Sequence, residues 1–160
     1  MPDRAGFEAF YAAHLSRVVR ACSLVLLDRG DAEDVAAEAF SRLWSHWGQI
    51  RGDDHAGGYV FKTAMRLCSK RRRHLAREVV GGVVPERNRA TDPETRVSVM
   101  DALRGLPLRQ RQSVVLRDWA GLETSEVARI LGTKESTVRV HLARGRAALR
   151  AVLTVEERER

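Results

Sequence analysis

Lys134, Ser136, Thr137, Arg139, His141, Arg144 and Arg146 crowd hydrogen-bond donors into a short stretch of TSEVARILGTKESTVRVHLARGRAAL, residues 124–149. Arginine, lysine, serine and threonine are the residue types that meet phosphate oxygens and base edges in a DNA groove. The spacing around them predicts two helices and a tight turn. The first runs about Ser125 to Leu131, with Val127, Ile130 and Leu131 on one side and Ala128 small enough for a second helix to cross closely. Gly132 ends it in the left-handed backbone that glycine tolerates, and Thr133 is placed to cap the next helix. Val138 and Leu142 then face inward and leave the donors outside. The second helix alone reads more readily as a solvated surface helix, whereas the whole unit fits a helix-turn-helix.

A second basic cluster, Lys70, Arg71, Arg72, Arg73, His74 and Arg77, closes another helical pattern. Such density repels itself unless an acidic surface or a phosphate backbone lies against it. The chain carries a formal charge of +7 and a pI near 10.4, as suits a protein that meets nucleic acid. One acidic stretch stands out against that balance. Asp34, Glu38 and Arg42, with Trp44 beside them, are left outside a helix whose inward stripe is Val35, Ala39, Phe40, Leu43 and Trp47, and exposed acids on a basic protein suggest a protein contact.

Enzyme chemistry has no matching pattern: there is no Ser-His-Asp set, no spaced pair of carboxylates and no phosphate-binding loop, so no catalytic residue and no cofactor are expected. Asp53-Asp54 reads as a solvated turn. The five histidines show no metal-ligand spacing, and no metal is expected. Cys22 and Cys68 sit inside apolar helical patterns as buried, reduced thiols. MPDRAGFEAF lacks a secretion pattern and Leu24–Leu27 is far too short to span a bilayer, so a cytoplasmic protein with no membrane insertion is expected.

These segments must be positioned by helices. Phe7, Phe10, Leu15, Val18, Cys22, Val25 and Leu26 predict a long amphipathic helix from Gly6 to Asp28, closed by Gly30, with Asp31 capping the next, which ends near Trp47 and Gly48. Arg51–Gly58 has the Gly and Asp content of a loop, and Tyr59 to Cys68 begins a third helix. The run 79–92, with paired glycines and a proline, reads as a linker; Asp92-Pro93-Glu94 opens a fourth helix that Val97, Met100 and Leu103 continue. Pro107 starts a fifth, with Leu108, Val115 and Trp119 inward and Gly121 at its end. The expected fold is all-α: two small helical bundles (1–78 and 93–153) joined by a flexible linker, with a charged tail over 154–160. Bundles of this size have thin cores.

In this order the segments resemble a bacterial RNA polymerase sigma factor of the extracytoplasmic-function (ECF) family. DAEDVAAEAFSRLW is similar to the core-binding motif of region 2, Gly58–Arg77 to the melting and minus-ten helix, and LPLRQRQSVVLRDWAGLETSEVARILGTKESTVRVHLARGR to region 4. The resemblance implies core polymerase binding by Asp34, Glu38 and Arg42. It implies minus-ten contacts by Arg51, Asp53, Asp54, His55, Tyr59, Lys62, Arg66, Lys70, Arg71 and Arg73, with a flipped base held in the loop 51–58. Tyr59 stands where the family usually has tryptophan. Minus-thirty-five contacts fall to Lys134, Ser136, Thr137, Arg139, Val140, Ala143, Arg144 and Arg146; Arg139 reads bases, while Lys134, Arg144 and Arg146 hold phosphate.

The implied partners are core RNA polymerase, promoter DNA and an anti-sigma factor, on a chain monomeric when free. A stand-alone helix-turn-helix regulator is the alternative; it should dimerise and bind a repeated site without polymerase. An RNA-binding adaptor using Lys70 to Arg77 leaves the second bundle unexplained.

Overall fold

The structure is a computed structural model that describes residues 2–80 and 99–158. All of its regular elements, among the described residues, are helical. Helix α1 spans Arg4–Leu26, begun by Asp3, whose carboxylate accepts from the Gly6 N–H at 2.9 Å. Helix α2 spans Arg29–His46 and passes into a 3-10 turn, Trp47–Gln49. The junction between them differs from expectation. Leu27, not Gly30, takes the left-handed conformation (φ 58°), and Asp28 is the cap, its Oδ1 accepting from the Asp31 N–H at 2.8 Å. Gly30 lies in the first turn of α2. The burial of Val25, Leu26 and Ala32 fixes where α1 must stop, and this outweighs the local preference of glycine.

Helix α3 spans Asp53–Val80. The expected loop 51–58 is therefore mostly helix, and Val79 and Val80, placed in the linker by sequence, belong to its last turn. Ala56, Val60, Phe61 and Ala64 are buried at helical spacing, so packing overrides the loop-like composition of the Gly57-Gly58 stretch. Helices α1, α2 and α3 pack on one another around Phe10, Val18, Phe40, Leu43 and Met65. Cys22 and Cys68 are buried and free, and their mutual hydrogen bond, with burial, holds the Cys68 thiol well above the usual thiol range.

The rest of the expected linker and the helix start at Asp92-Pro93-Glu94 lie outside the described residues. Helix α4 spans Val99–Arg104 and α5 spans Leu108–Val114, which continues into a π turn, Val115–Trp119. In that turn the Ala120 N–H reaches back five residues to the Val115 carbonyl at 2.9 Å. The wider turn rotates Trp119 outward, to 39 % exposure, against the expectation that it faced the core. Helix α6 spans Thr124–Leu131; its first turn is tied by the Glu123 N–H donating to Glu126 Oε2 at 2.9 Å. At its end Gly132 (φ 65°) allows a paired closure in which the Thr133 N–H reaches the Ala128 carbonyl and the Gly132 N–H that of Arg129. Helix α7 spans Glu135–Arg158, which puts Lys134 rather than Thr133 at the cap position and makes residues 154–158 of the expected tail helical.

The two bundles do not stand apart. Helix α6 packs on α3, and α4, α5 and the π turn all touch α1. Three residues of α5, Arg111, Gln112 and Ser113, are fully buried although polar.

Candidate nucleic-acid interface

Helix α7 meets α5 and α6 through Val138 and Leu142, both buried. The helical period then turns Ser136, Arg139, Val140, Ala143 and Arg144 to solvent, with Thr137 half-buried and Lys134 exposed just before the helix. Val140 is 46 % exposed, an apolar side chain set among donors. Arg139 forms a 3.0 Å ion pair with Glu135 one turn back. Arg146 is placed differently. Its guanidinium holds Asp118 of the π turn through two bonds, which raises its pKa further and engages it within the fold. The side chain of His141 is half-buried.

On α3, Tyr59, Lys62, Arg66, Lys70 and Arg73 follow one another at intervals of three and four, which lines them along one face. Arg66, Lys70 and Arg73 are exposed; Tyr59 and Lys62 are half-buried. Arg71 points elsewhere. It pairs with Asp31 of α2 at 2.5 Å, and that hydrogen bond, with the attraction of Asp31, raises its pKa. It clamps α2 to α3 and leaves the basic face to its neighbours.

Asp53 opens α3, and acids in a first helical turn are favoured by the helix dipole, a structural reason for their presence that composition does not reveal. His55 and Arg51 are exposed. With Gln49, Ile50 and Tyr59 they line a cleft of about 400 Å³ at the start of the basic face. Tyr59 Oη lies 3.1 Å from His46 Nδ1, which also sits 2.9 Å from the Arg42 carbonyl. Since that carbonyl only accepts, Nδ1 carries the proton and shares it between the two oxygens. Gln49 and Ile50 went unnoticed in the sequence because nothing in their types marks a binding residue.

Asp34, Glu38 and Arg42 project from α2 one turn apart, all exposed, with Glu38 and Arg42 paired at 2.6 Å. Trp44 is 37 % exposed and packs edge-on to Phe7 at 4.9 Å. The acidic strip and an aromatic edge thus share one helix. Among the described residues no cluster of three or more His, Cys, Asp or Glu is arranged to hold a metal ion, and no helix is long and apolar enough to cross a membrane.

Described elements that are all helical, with a helix-turn-helix at one end, a long basic helix in the other half and an exposed acidic strip, define a DNA-binding protein with a protein partner. Residues 10–78 match Sigma-70 region 2, and residues 96–149 match Sigma-70, region 4. The chain is 31% identical over 156 residues to the RNA polymerase sigma-E factor of Streptomyces coelicolor, covering 94% of this chain and 88% of that protein. It is 29% identical over 154 residues to the ECF RNA polymerase sigma factor SigM of Mycobacterium tuberculosis, covering 94% and 79%. The chain belongs to the ECF family of RNA polymerase sigma factors. Its fold is that of the sigma factor RpoE in complex with the anti-sigma factor NepR from Bartonella quintana, with a TM-score of 0.79 at 19% identity over 94% of this chain and 98% of that one. It is also that of CnrH in complex with the cytosolic domain of CnrY, with a TM-score of 0.72 at 21% identity over 96% and 90%.

Proposed function

We propose that this sigma factor divides promoter recognition between two faces and docks on core polymerase through a third. The observation that carries the reading is the exposed strip Asp34, Glu38 and Arg42 on a chain of net charge +7, separate from two exposed faces rich in Lys and Arg. The acidic strip binds core RNA polymerase. The α7 face enters the major groove at the minus-thirty-five element, where Arg139 reads a base edge, Val140 and Ala143 supply apolar contact, and Lys134 and Arg144 hold phosphate.

The α3 face, Lys62, Arg66, Lys70 and Arg73, tracks the strand of the minus-ten element. The cleft beside Tyr59 receives an extruded base, and stacking on an aromatic ring contributes roughly 1–3 kcal/mol toward the few kcal/mol that extrusion costs. The protein carries out no chemistry itself; catalysis belongs to the polymerase. It acts in the cytoplasm with promoter DNA, and an anti-sigma factor is its regulatory partner, a reading supported by the sigma factor RpoE, of like fold, solved with the anti-sigma factor NepR.

Run-off transcription with purified core polymerase on a pool of genomic promoter fragments tests the assignment. The expected result is initiation from a defined subset only when the protein is added. Absence of both core binding and specific initiation overturns it.

A further inference from the structure

The buried polar residues of α5 do not serve their own bundle alone. Arg111 is fully buried, and its Nη1 donates to the carbonyl of Val25, in α1, at 2.7 Å. Its Nη2 donates to the carbonyls of Arg104 and Leu106 at 3.1 Å. Gln112, also fully buried, donates from Nε2 to the Met65 carbonyl at 3.3 Å and to Ser69 Oγ at 3.1 Å, both on α3. From the other side Arg17 of α1 donates to the Ala120 carbonyl and lies 5.5 Å from the ring centre of Phe61. Three side chains therefore cross between the region 2 helices and the region 4 helices, each ending on a backbone carbonyl of the opposite half.

The contact is specific but costly. The hydrogen bonds of Arg111 run to carbonyls, so its charge is buried without a carboxylate among them, and burial, with Arg72 and Arg104 near, pulls its pKa down to about 10. Arg111 Nε and Gln112 Oε1 are buried without a hydrogen-bond partner among the described residues. Directional bonds fix how the halves meet, while a desolvated cation and two orphaned atoms keep the contact weak. An interface of this kind is built to be left.

It is also incompatible with reading two promoter elements at once. Helix α6 packs against both α3 and α7, which puts the two DNA-facing helices about two interhelical spacings, roughly 20 Å, apart. Elements centred near minus ten and minus thirty-five lie about 25 base pairs apart, roughly 85 Å of duplex at about 3.4 Å per base pair. A compact chain of this length has a radius of gyration of only about 15 Å. We propose that Arg17, Arg111 and Gln112 form an intramolecular latch that holds the free protein in a closed, promoter-incompetent form, and that core polymerase binds the opened one. This rests on the sigma-factor reading above.

The test uses the full chain with donor and acceptor fluorophores at A9C and A151C, exposed positions outside every face described here. The two native thiols are buried and do not compete for label. Arg17→Ala removes the latch from the region 2 side; Gln112→Glu places a carboxylate against the Met65 carbonyl from the region 4 side. Among the described residues neither side chain hydrogen-bonds within its own half, and Arg17 gives up there only its place over the Phe61 ring, so helicity by circular dichroism should be unchanged. The expected result is a short, narrow distance in the parent chain and a longer, broader one in each variant, measured without polymerase. Each variant should also bind core several-fold more tightly, because apparent affinity follows the open fraction. Long, broad distances in the parent chain, or short ones persisting in both variants, overturn the latch. Opening with no gain in core affinity overturns its inhibitory role. Opening with no core binding by any form strikes the sigma-factor reading, and the inhibitory role with it, while the distances still uphold the latch.

Discussion

Arg146 and Asp118 meet through two hydrogen bonds, Nε to Oδ2 at 2.9 Å and Nη2 to Oδ1 at 2.6 Å, and so fasten α7 to the π turn at the end of α5. The side chains are 40% and 33% exposed, which limits the pair to about 1 kcal/mol of stability. Arg146→Ala and Asp118→Ala should each lower the unfolding free energy by that amount, and the double variant by little more than either. On minus-thirty-five duplex, Arg144→Ala should reduce the salt slope of binding by about one counterion and Arg146→Ala by less, since Arg146 is already engaged. Additive stability losses, or equal slopes for the two variants, would count against this division.

The pairing of Arg139 with Glu135 leads to a sharper test of base reading. To reach guanine the guanidinium must leave Glu135, and an exposed pair one turn apart holds it by only about 0.3–0.5 kcal/mol. Arg139→Ala should relax minus-thirty-five selectivity at one position, with about 1–3 kcal/mol lost for the preferred base only. Glu135→Ala should leave the preference intact and raise affinity about twofold. Competition binding across single-base variants measures both. A uniform loss over all sequences in Arg139→Ala would reassign the residue to phosphate.

Elements marked by their own spacing were legible without coordinates. Val127, Ile130, Leu131, Val138 and Leu142 are buried as their period requires, and Gly132 turns as glycine must. The misreadings share a physical cause, which is that the deciding contact is distant in sequence. Composition made 51–58 a loop, yet burial of Ala56 and Val60 against α1 and α2 makes most of it helix. Arg111 and Gln112 went unremarked because their partners Val25, Met65 and Ser69 lie in the other half of the chain. Arg71 and Arg146 resembled their basic neighbours, and only the fold shows that Asp31 and Asp118 hold them.

Core binding should fail before folding does when the acidic strip is reversed. Asp34 and Glu38 are exposed, and among the described residues Glu38 pairs with Arg42 on its own helix, so neither carries the packing of α2. Asp34→Lys with Glu38→Lys should leave circular dichroism and the urea midpoint nearly unchanged, since surface substitutions stay within about 0.5 kcal/mol. Association with core, followed by anisotropy of the labelled protein, should weaken more steeply at low salt than at high salt, because screening mutes the new repulsion. Full holoenzyme formation by the double variant would move the docking face elsewhere, with the exposed Trp44 edge next to be tried.

The seating of α7 depends on Gly145. A Cβ there would lie 2.8 Å from Val114 Cγ2 and 3.5 Å from the Gln110 carbonyl oxygen, so α5 and α7 approach closely only because the side chain is absent. In an open helix Gly→Ala would stabilise by about 1 kcal/mol. Here the methyl group must displace the Val114 side chain in a closely packed site, an overpacking cost of about 1–3 kcal/mol, so Gly145→Ala should lower the urea midpoint despite its better helix propensity. Adding Val114→Ala to it should recover much of the loss, because the second change removes the methyl groups that the first one strikes. A raised midpoint in Gly145→Ala would mean that Val114 moves aside freely. Because the same contact sets how far α7 stands from α5, the single variant should also misplace Arg139 and blunt minus-thirty-five selectivity, and the double variant should restore it.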